Sequence, residues 1–292
     1  MIGEVMVDVL ARVPGRPTTG SDTPATIVER DGGSAANVAE WLASLGAPVD
    51  LVARVGDDPA GRAARDRLAA AGVVPRLQVD DTASTGRCIV IVTPDGERTM
   101  LPDPGANAFL DAGSLDTTAW RPCDHLHVSG YSLMRPSARA AALESISQAV
   151  ANGMSVSVDA SSAAPLATVG PSSFLHWIGG CEVLIANADE AHALTGLTSP
   201  WDAAEALCAR GFLAVVKCGA DGALAASPSG GRWEQPARAA ALVDTTGAGD
   251  AFAAGFVGAW SGAIGIGGDV AAALRHGIET AARAVAREGG RP

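Results

Sequence analysis

The sequence predicts an α/β protein organised around a mainly parallel sheet, and three observations lead there. Strand-like and helix-like segments alternate through most of the 292 residues. The clearest helix candidates carry their apolar residues on one face and stop at a glycine. Hydrophobic residues make up 48% of the chain and charged residues 18%, the balance of a globular domain long enough to bury a large core. One domain over residues 1–292 is the expectation.

The elements follow in order. Val5-Met6-Val7 reads as a short strand ending at Asp8. Residues 10–31 break the alternation, with Pro14, Gly15, Pro17, Gly20 and Pro24 ahead of the apolar pair Ile27-Val28. A helix over 35–45 puts Ala35, Val38, Ala39, Leu42 and Leu45 on one face, and Gly46 closes it. A strand at 49–55 and a helix at 59–71 come next. Residues 83–104 form the second break: 87–93, the turn Pro94-Asp95-Gly96-Glu97, and 98–101 have the pattern of a β-hairpin. The two irregular β regions are either a small lid beside the main layer or two ordinary surface loops. Later candidates are strands at 125–128, 155–159, 183–186 and 213–217, and helices at 138–152, 201–210, 247–260 and 269–287.

Composition also excludes. A net charge of −11 argues against a nucleic-acid surface, which needs clustered Lys and Arg. No apolar run is long enough for a membrane span, and the first residues lack a basic region followed by an apolar core. Five scattered cysteines (Cys88, Cys123, Cys181, Cys208, Cys218) show no Cys-x-x-Cys pair, so reduced thiols are expected. His125 and His127 are read as alternating along a strand, with at most one facing the core. The picture is a cytoplasmic protein.

The most informative stretch is Asp244-Thr245-Thr246-Gly247-Ala248-Gly249-Asp250, followed by the apolar run Ala251-Phe252-Ala253-Ala254. A small-residue loop opening a helix exposes unpaired N–H groups at the positive end of the dipole, a site for phosphate or a developing oxyanion. Asp250 beside such a cradle could take the proton of a hydroxyl attacking the phosphate. Earlier, Asp31-Gly32-Gly33-Ser34-Ala35-Ala36-Asn37 opens the first helix: either a tight packed turn, or a close backbone approach to a ligand with Asn37 serving hydroxyls. Asp8 is either a solvated turn residue or an acceptor for vicinal hydroxyls. Asn187 and Glu190 have the spacing of a capping box, and also that of a phosphate contact and a water-mediated Mg²⁺ ligand. The Lys217–Gly222 turn is a plain hairpin, or a surface for ribose and phosphates with Lys217 as a point charge. Neither a dinucleotide fingerprint nor a Gly-Lys-Ser/Thr loop is present.

Taken in order, Gly3…Asp8, Gly32-Gly33…Asn37, Gly105-Ala106-Asn107, Asn187…Glu190, Lys217…Gly222 and Asp244…Asp250 resemble the ribokinase-like (PfkB) carbohydrate kinases over essentially the whole chain. The resemblance implies a three-layer α/β/α sandwich with a mainly parallel central sheet and a small β-lid over the sugar, built from segments of about 10–31 and 83–104. It implies ATP-dependent phosphorylation of a primary hydroxyl on ribose, or a similar small sugar such as fructose or 2-keto-3-deoxygluconate. A nucleoside kinase of the same fold is the alternative, and a non-catalytic sugar- or nucleotide-binding protein the third reading.

Site roles follow from the same resemblance. Asp250 would be the base, with the N–H groups of Gly247, Ala248 and Gly249 on the transferring phosphoryl group. Asp8, Gly33, Asn37 and Asn107 would meet the sugar. Met6, Ser34 and Tyr131 stand where ribokinases carry an asparagine, a lysine and a glutamate, giving a more apolar pocket. Asn187, Lys217, Gly219, Asp221, Gly222 and Gly249 would line ATP, and Glu190 would serve Mg²⁺ through water. Asp244, Thr246 and the carbonyls of Ala284, Arg287 and Gly289 match a monovalent-cation (K⁺) site found in many members. A homodimer through the lid edges is the expected assembly.

Overall fold

Alternating side chains in the middle of the chain sort onto the two faces of a central sheet, and this sorting defines the architecture. The computed structural model describes residues 1–114, 120–121 and 124–292, so Cys123 lies outside the described residues. In chain order the elements begin β1 (Met6–Arg12), β2 (Thr26–Gly32), α1 (Ser34–Ser44), β3 (Asp50–Gly56), α2 (Pro59–Ala70) and β4 (Val74–Asp80). There follow β5 (Gly86–Val92), β6 (Arg98–Asp103), β7 (His125–Ser129), α3 (Gly130–Met134), α4 (Pro136–Ala151) and β8 (Ser155–Asp159). Next are α5 (Ala163–Val169), α6 (Pro171–Trp177), β9 (Val183–Asn187), α7 (Ala188–Thr195) and α8 (Pro200–Cys208). The chain finishes with β10 (Leu213–Lys217), β11 (Ala223–Ala226), β12 (Arg232–Gln235), α9 (Ala248–Trp260) and α10 (Val270–Val285).

The central sheet runs β12-β11-β10-β9-β8-β7 and is parallel from β10 to β7. Ile2 makes parallel bridges to both Val128 and Val52, and so joins that sheet to the pair β3-β4. Gly3 follows at the join, where a Cβ would fall 2.4 Å from that of Ala35, so only glycine fits against α1. On one face Val183, Ile185, Leu213 and Val215 pack with Trp41 of α1, Phe252 and Phe256 of α9, and Leu274 and Ile278 of α10. On the other, Leu184, Ala186, Ala214 and Val216 pack with Ile146 of α4, Phe174 of α6, Leu194 of α7 and Leu207 of α8. Each fully buried aromatic or Leu contributes roughly 1.5–3 kcal/mol relative to an exposed one. The result is the three-layer α/β/α sandwich.

A separate four-stranded sheet, ordered β2-β1-β5-β6, has its own small apolar cluster of Met6, Leu10, Cys88 and Val90. The hairpin expected between residues 87 and 101 is present, turning at Gly96 with φ 84°. Two expectations need correction. Asp8 does not end a strand: β1 stays paired with β2 and β5 as far as Arg12, placing Asp8 inside β1 on the same face as Met6 and Leu10. The irregular β region therefore starts at Met6 rather than at residue 10. His125 and His127 do not alternate either. Residues two apart on a strand share a face, and both rings reach Ser157 on β8, at 2.7 Å each. Burial lowers both imidazoles, to about 3 and about 4, so they are neutral hydrogen-bonding side chains. Among the described residues, Cys88, Cys181, Cys208 and Cys218 are free thiols. No described helix is long and apolar enough to cross a membrane.

Candidate active site

Parallel strands put their C-terminal ends on one edge of a sheet, where ligands of open α/β folds usually sit. Here that edge carries Asp159 at the end of β8, Asn187 at the end of β9 and Lys217 at the end of β10. Helix α9 begins over the same edge. Its N-cap, Gly247, has φ 71°, and a Cβ there would come within 2.4 Å of the Gly290 Cα. The position needs glycine for both conformation and space. Ala248 N–H donates to the Thr245 carbonyl at 3.2 Å, so it closes the turn instead of pointing outward as expected. The N–H groups of Gly247, Gly249 and Asp250 have no protein acceptor among the described residues. They are the open donors at the positive end of the α9 dipole.

Asp250, in the first turn of α9, is the centre of the site. Ser34 Oγ donates to its Oδ1 and Asn37 Nδ2 to its Oδ2, both at 2.8 Å. Two helix starts, α1 and α9, thus converge on one carboxylate. Burial pushes Asp250 up to about 6. The Asn37 and Ser34 donors and the Lys217 ammonium act the other way, while the Asp159 charge adds to the rise. Such a group is ionised at neutral pH yet close enough to it to accept a proton.

Lys217 Nζ lies 2.8 Å from Asp159 Oδ2, and 3.4 Å from the place where Gly249 would carry a Cβ. Its ammonium therefore faces the α9 loop. Burial opposes its charge, but the carboxylates of Asp159 and Glu190 outweigh burial and raise it, so Lys217 stays cationic. Asn187 and Glu190 form the complete capping box of α7. Glu190 N–H donates to Asn187 Oδ1, and Asn187 N–H and Nδ2 donate to the Glu190 carboxylate, at 2.7–2.8 Å. Burial pushes Glu190 up to about 7, with Lys217 opposing. Gly219 and Asp221 are exposed in the turn after β10. Gly222 is buried there with φ 99°, where a Cβ would meet the Gln235 carbonyl at 2.1 Å.

The other side of the candidate site comes from the small sheet. Asp8 points inward over Gly32, where a Cβ would lie 2.3 Å from its carboxylate; at Gly33, with φ 94°, a Cβ would strike the Glu4 carbonyl at 2.5 Å. The glycine pair is thus explained by close backbone approach. Burial pushes Asp8 up to about 6, Arg291 opposing and Asp31 adding. Met6 is buried beneath, in the apolar cluster of the small sheet. Tyr131 lies on α3, outside the small sheet, and packs half-buried against the core on that side of the central sheet. Asn107 has its amide engaged: Oδ1 accepts from Val5 N–H at 3.0 Å, and Nδ2 donates to the Val5 and Pro104 carbonyls. It straps the backbone beneath β1, and its amide is already spent.

Asp244, Thr246 and Gly289 do come together. The Asp244 carboxylate accepts from Thr246 N–H and Oγ at 2.8 and 2.7 Å and from Gly289 N–H at 3.1 Å, and it is ion-paired with Arg98. Arg98 also donates to Thr245 Oγ at 3.1 Å, tying the hairpin of the small sheet to the α9 loop. The Ala284 carbonyl accepts from Arg287 N–H at 3.1 Å. This is a filled hydrogen-bond cluster with a guanidinium already against its carboxylate. Sequence reasoning missed three participants. Asp159 carried a readable signal, a carboxylate closing a parallel strand; Arg98 and Arg291 carried none. Arg291 fixes Asn37 by donating to its Oδ1 at 3.1 Å, and also reaches Glu40 at 2.5 Å and the Gly32 carbonyl at 2.9 Å.

Comparison with known proteins gives the family. The chain matches the pfkB family of carbohydrate kinases over residues 1–292. It is 33% identical to an ATP-dependent ribose-1-phosphate kinase of Halopiger xanaduensis, over 99% of this chain and 92% of that protein. It is 32% identical to an aminoimidazole riboside kinase of Salmonella typhimurium, over 88% of this chain and 79% of that one. Among solved structures, an adenosine kinase from Sinorhizobium meliloti superposes with a TM-score of 0.88 at 27% identity, covering 100% of this chain and 94% of that one. A fructokinase from Vibrio cholerae with fructose, ADP and calcium bound gives 0.82 at 25%, covering 99% and 93%. The chain belongs to the pfkB family of carbohydrate kinases, phosphotransferases with an alcohol group as acceptor.

Proposed function

We propose that this chain moves the γ-phosphoryl group of ATP to a primary hydroxyl of a sugar held between Asp8 and Asp250. The observation that carries the reading is the Asp250 carboxylate, oriented by Ser34 and Asn37 at the mouth of α9 and flanked by open N–H groups and the Lys217 ammonium. The acceptor oxygen attacks the γ-phosphorus as its proton passes to Asp250. The bond from that phosphorus to the ADP oxygen breaks, and ADP leaves. The amides of Gly247 and Gly249 with Lys217 stabilise the charge on the transferring group, so the contribution is positioning and electrostatics. The small sheet then acts as a lid that excludes water.

The donor set fits a divalent ion that arrives on the nucleotide. No cluster of three or more metal-ligating side chains occurs among the described residues, and Glu190 and Asp159 are spent on Asn187, Ser161 and Lys217. They would hold the waters of Mg²⁺, whose chemistry is to neutralise phosphate charge. The Asp244 cluster does not fit an open K⁺ cage while Arg98 occupies its carboxylate. The exposed Ile27, Ile89 and Leu101 share the outer face of the lid and support a homodimer through it. ADP release measured over a panel of free sugars and adenosine tests the reading: a sugar should be preferred, and adenosine exceeding every sugar would replace it with the nucleoside kinase.

A further inference from the structure

Register decides which side chains of the small sheet face the pocket. Across β1–β2, Asp8 pairs with Arg30, and Arg12 lies four residues further along β1, so all three share one face. Contacts agree with the register. Both arginines reach over to Glu288, beyond α10, with Nη2 at 3.7 Å from Arg12 and 2.9 Å from Arg30. By the same register Arg98, opposite Val92 on β5, faces the same way and meets Asp244. Hydroxyls of a neutral sugar can be served by carboxylates and amides alone; two guanidinium groups on the face of Asp8 add positive charge that an anionic acceptor would use.

The side chains of Arg12, Arg30 and Glu288 are 47%, 43% and 50% exposed, so their pairing is weak and exchangeable. A carboxylate seated between two guanidinium forks also shows what they recognise, an anion with several acceptor oxygens. We propose that the acceptor sugar carries an anionic group, phosphate or carboxylate, which displaces Glu288 and binds Arg12 and Arg30 while its free hydroxyl lies at Asp250. This deepens the sugar-kinase reading and rests on it.

The test is ADP release by the full chain with ribose 1-phosphate, 2-keto-3-deoxygluconate, ribose, fructose and adenosine. At least one anionic acceptor should exceed the neutral ones in kcat/KM by about a hundredfold, on the order of tenfold for each guanidinium contact. The phosphate and carboxylate arms identify the anion. Arg30→Gln and Arg12→Gln should each lower the anionic-to-neutral ratio about tenfold, with Arg30→Lys retaining more of it. Glu288→Gln should lower KM for the anionic acceptor by removing its competitor. A neutral sugar used as well as either anion, or a ratio unmoved by both arginine variants, overturns the inference and leaves the sugar kinase standing. Turnover of none of the five overturns both.

Discussion

As the proposed base, Asp250 has to be buried enough to hold a proton and ionised enough to take one, and its neighbours set that balance. Burial raises it to about 6, while Asn37 and Ser34 keep the rise from going further. The active form is the carboxylate, so kcat/KM should climb as pH rises through about 6 and then level. Asp8, also raised to about 6, moves activity in the same direction. A pH–rate profile from 5 to 8 measures this, and a flat or falling profile over that range would remove Asp250 from the role of base. Arg98 supplies a second residue-scale prediction. Its guanidinium already neutralises Asp244, so exchanging K⁺ for Na⁺ should alter the rate of the unmodified chain by less than about twofold, whereas Arg98→Gln should become K⁺-stimulated. Steady-state rates in the two salts decide it. Asp250 was legible in the sequence because its neighbours form a dense motif. Arg291 was not: nothing local to residue 291 says that it turns the Asn37 amide toward a carboxylate on another helix.

The element that makes the site is the start of α9, and glycine makes that start possible. Gly247 combines φ 71° with a neighbour that leaves no room for a Cβ. Gly247→Ala should therefore destabilise the fold by roughly 1–3 kcal/mol, the cost of a side chain held in a left-handed conformation, and should also lower turnover. Thermal unfolding with an activity assay checks both; an unchanged melting temperature would show that the loop can open elsewhere. Strands and helices with strong periodicity, such as α1, α9 and β10, were readable to within a few residues. The short α3, α5 and α6 were not, because five to seven residues give too few turns for a pattern. Asp8 interrupts an apolar run and so masks the rest of β1, which long-range pairing with β2 and β5 carries on to Arg12.

At the scale of the whole molecule, the candidate site draws its residues from two sheets. The central sheet with α9 brings the proposed base, the Lys217 ammonium and the open amides; the small sheet brings Asp8 and the arginine face. The largely buried ion pair of Arg98 with Asp244 ties the small sheet to the α9 loop, while the exposed pairs of Arg12 and Arg30 with Glu288 remain exchangeable. The opposite face of the small sheet exposes Ile27, Ile89 and Leu101, and an apolar β surface of this kind calls for a cover. Sedimentation equilibrium should find a dimer that Ile89→Lys converts to monomer; a monomer at every concentration would leave that face without a second copy. Long-range pairing of this kind was the part least legible in the sequence, since Glu288 and Arg30 stand 258 positions apart.

Turnover by Asp250→Asn, measured as ADP release alongside ATP binding, bears most directly on the mechanism. With the base gone and the amides in place, ATP should still bind while kcat falls by about 10²–10⁴. A variant that binds ATP and turns over within a few-fold of the unmodified chain would contradict the assignment of Asp250 as the group that deprotonates the acceptor.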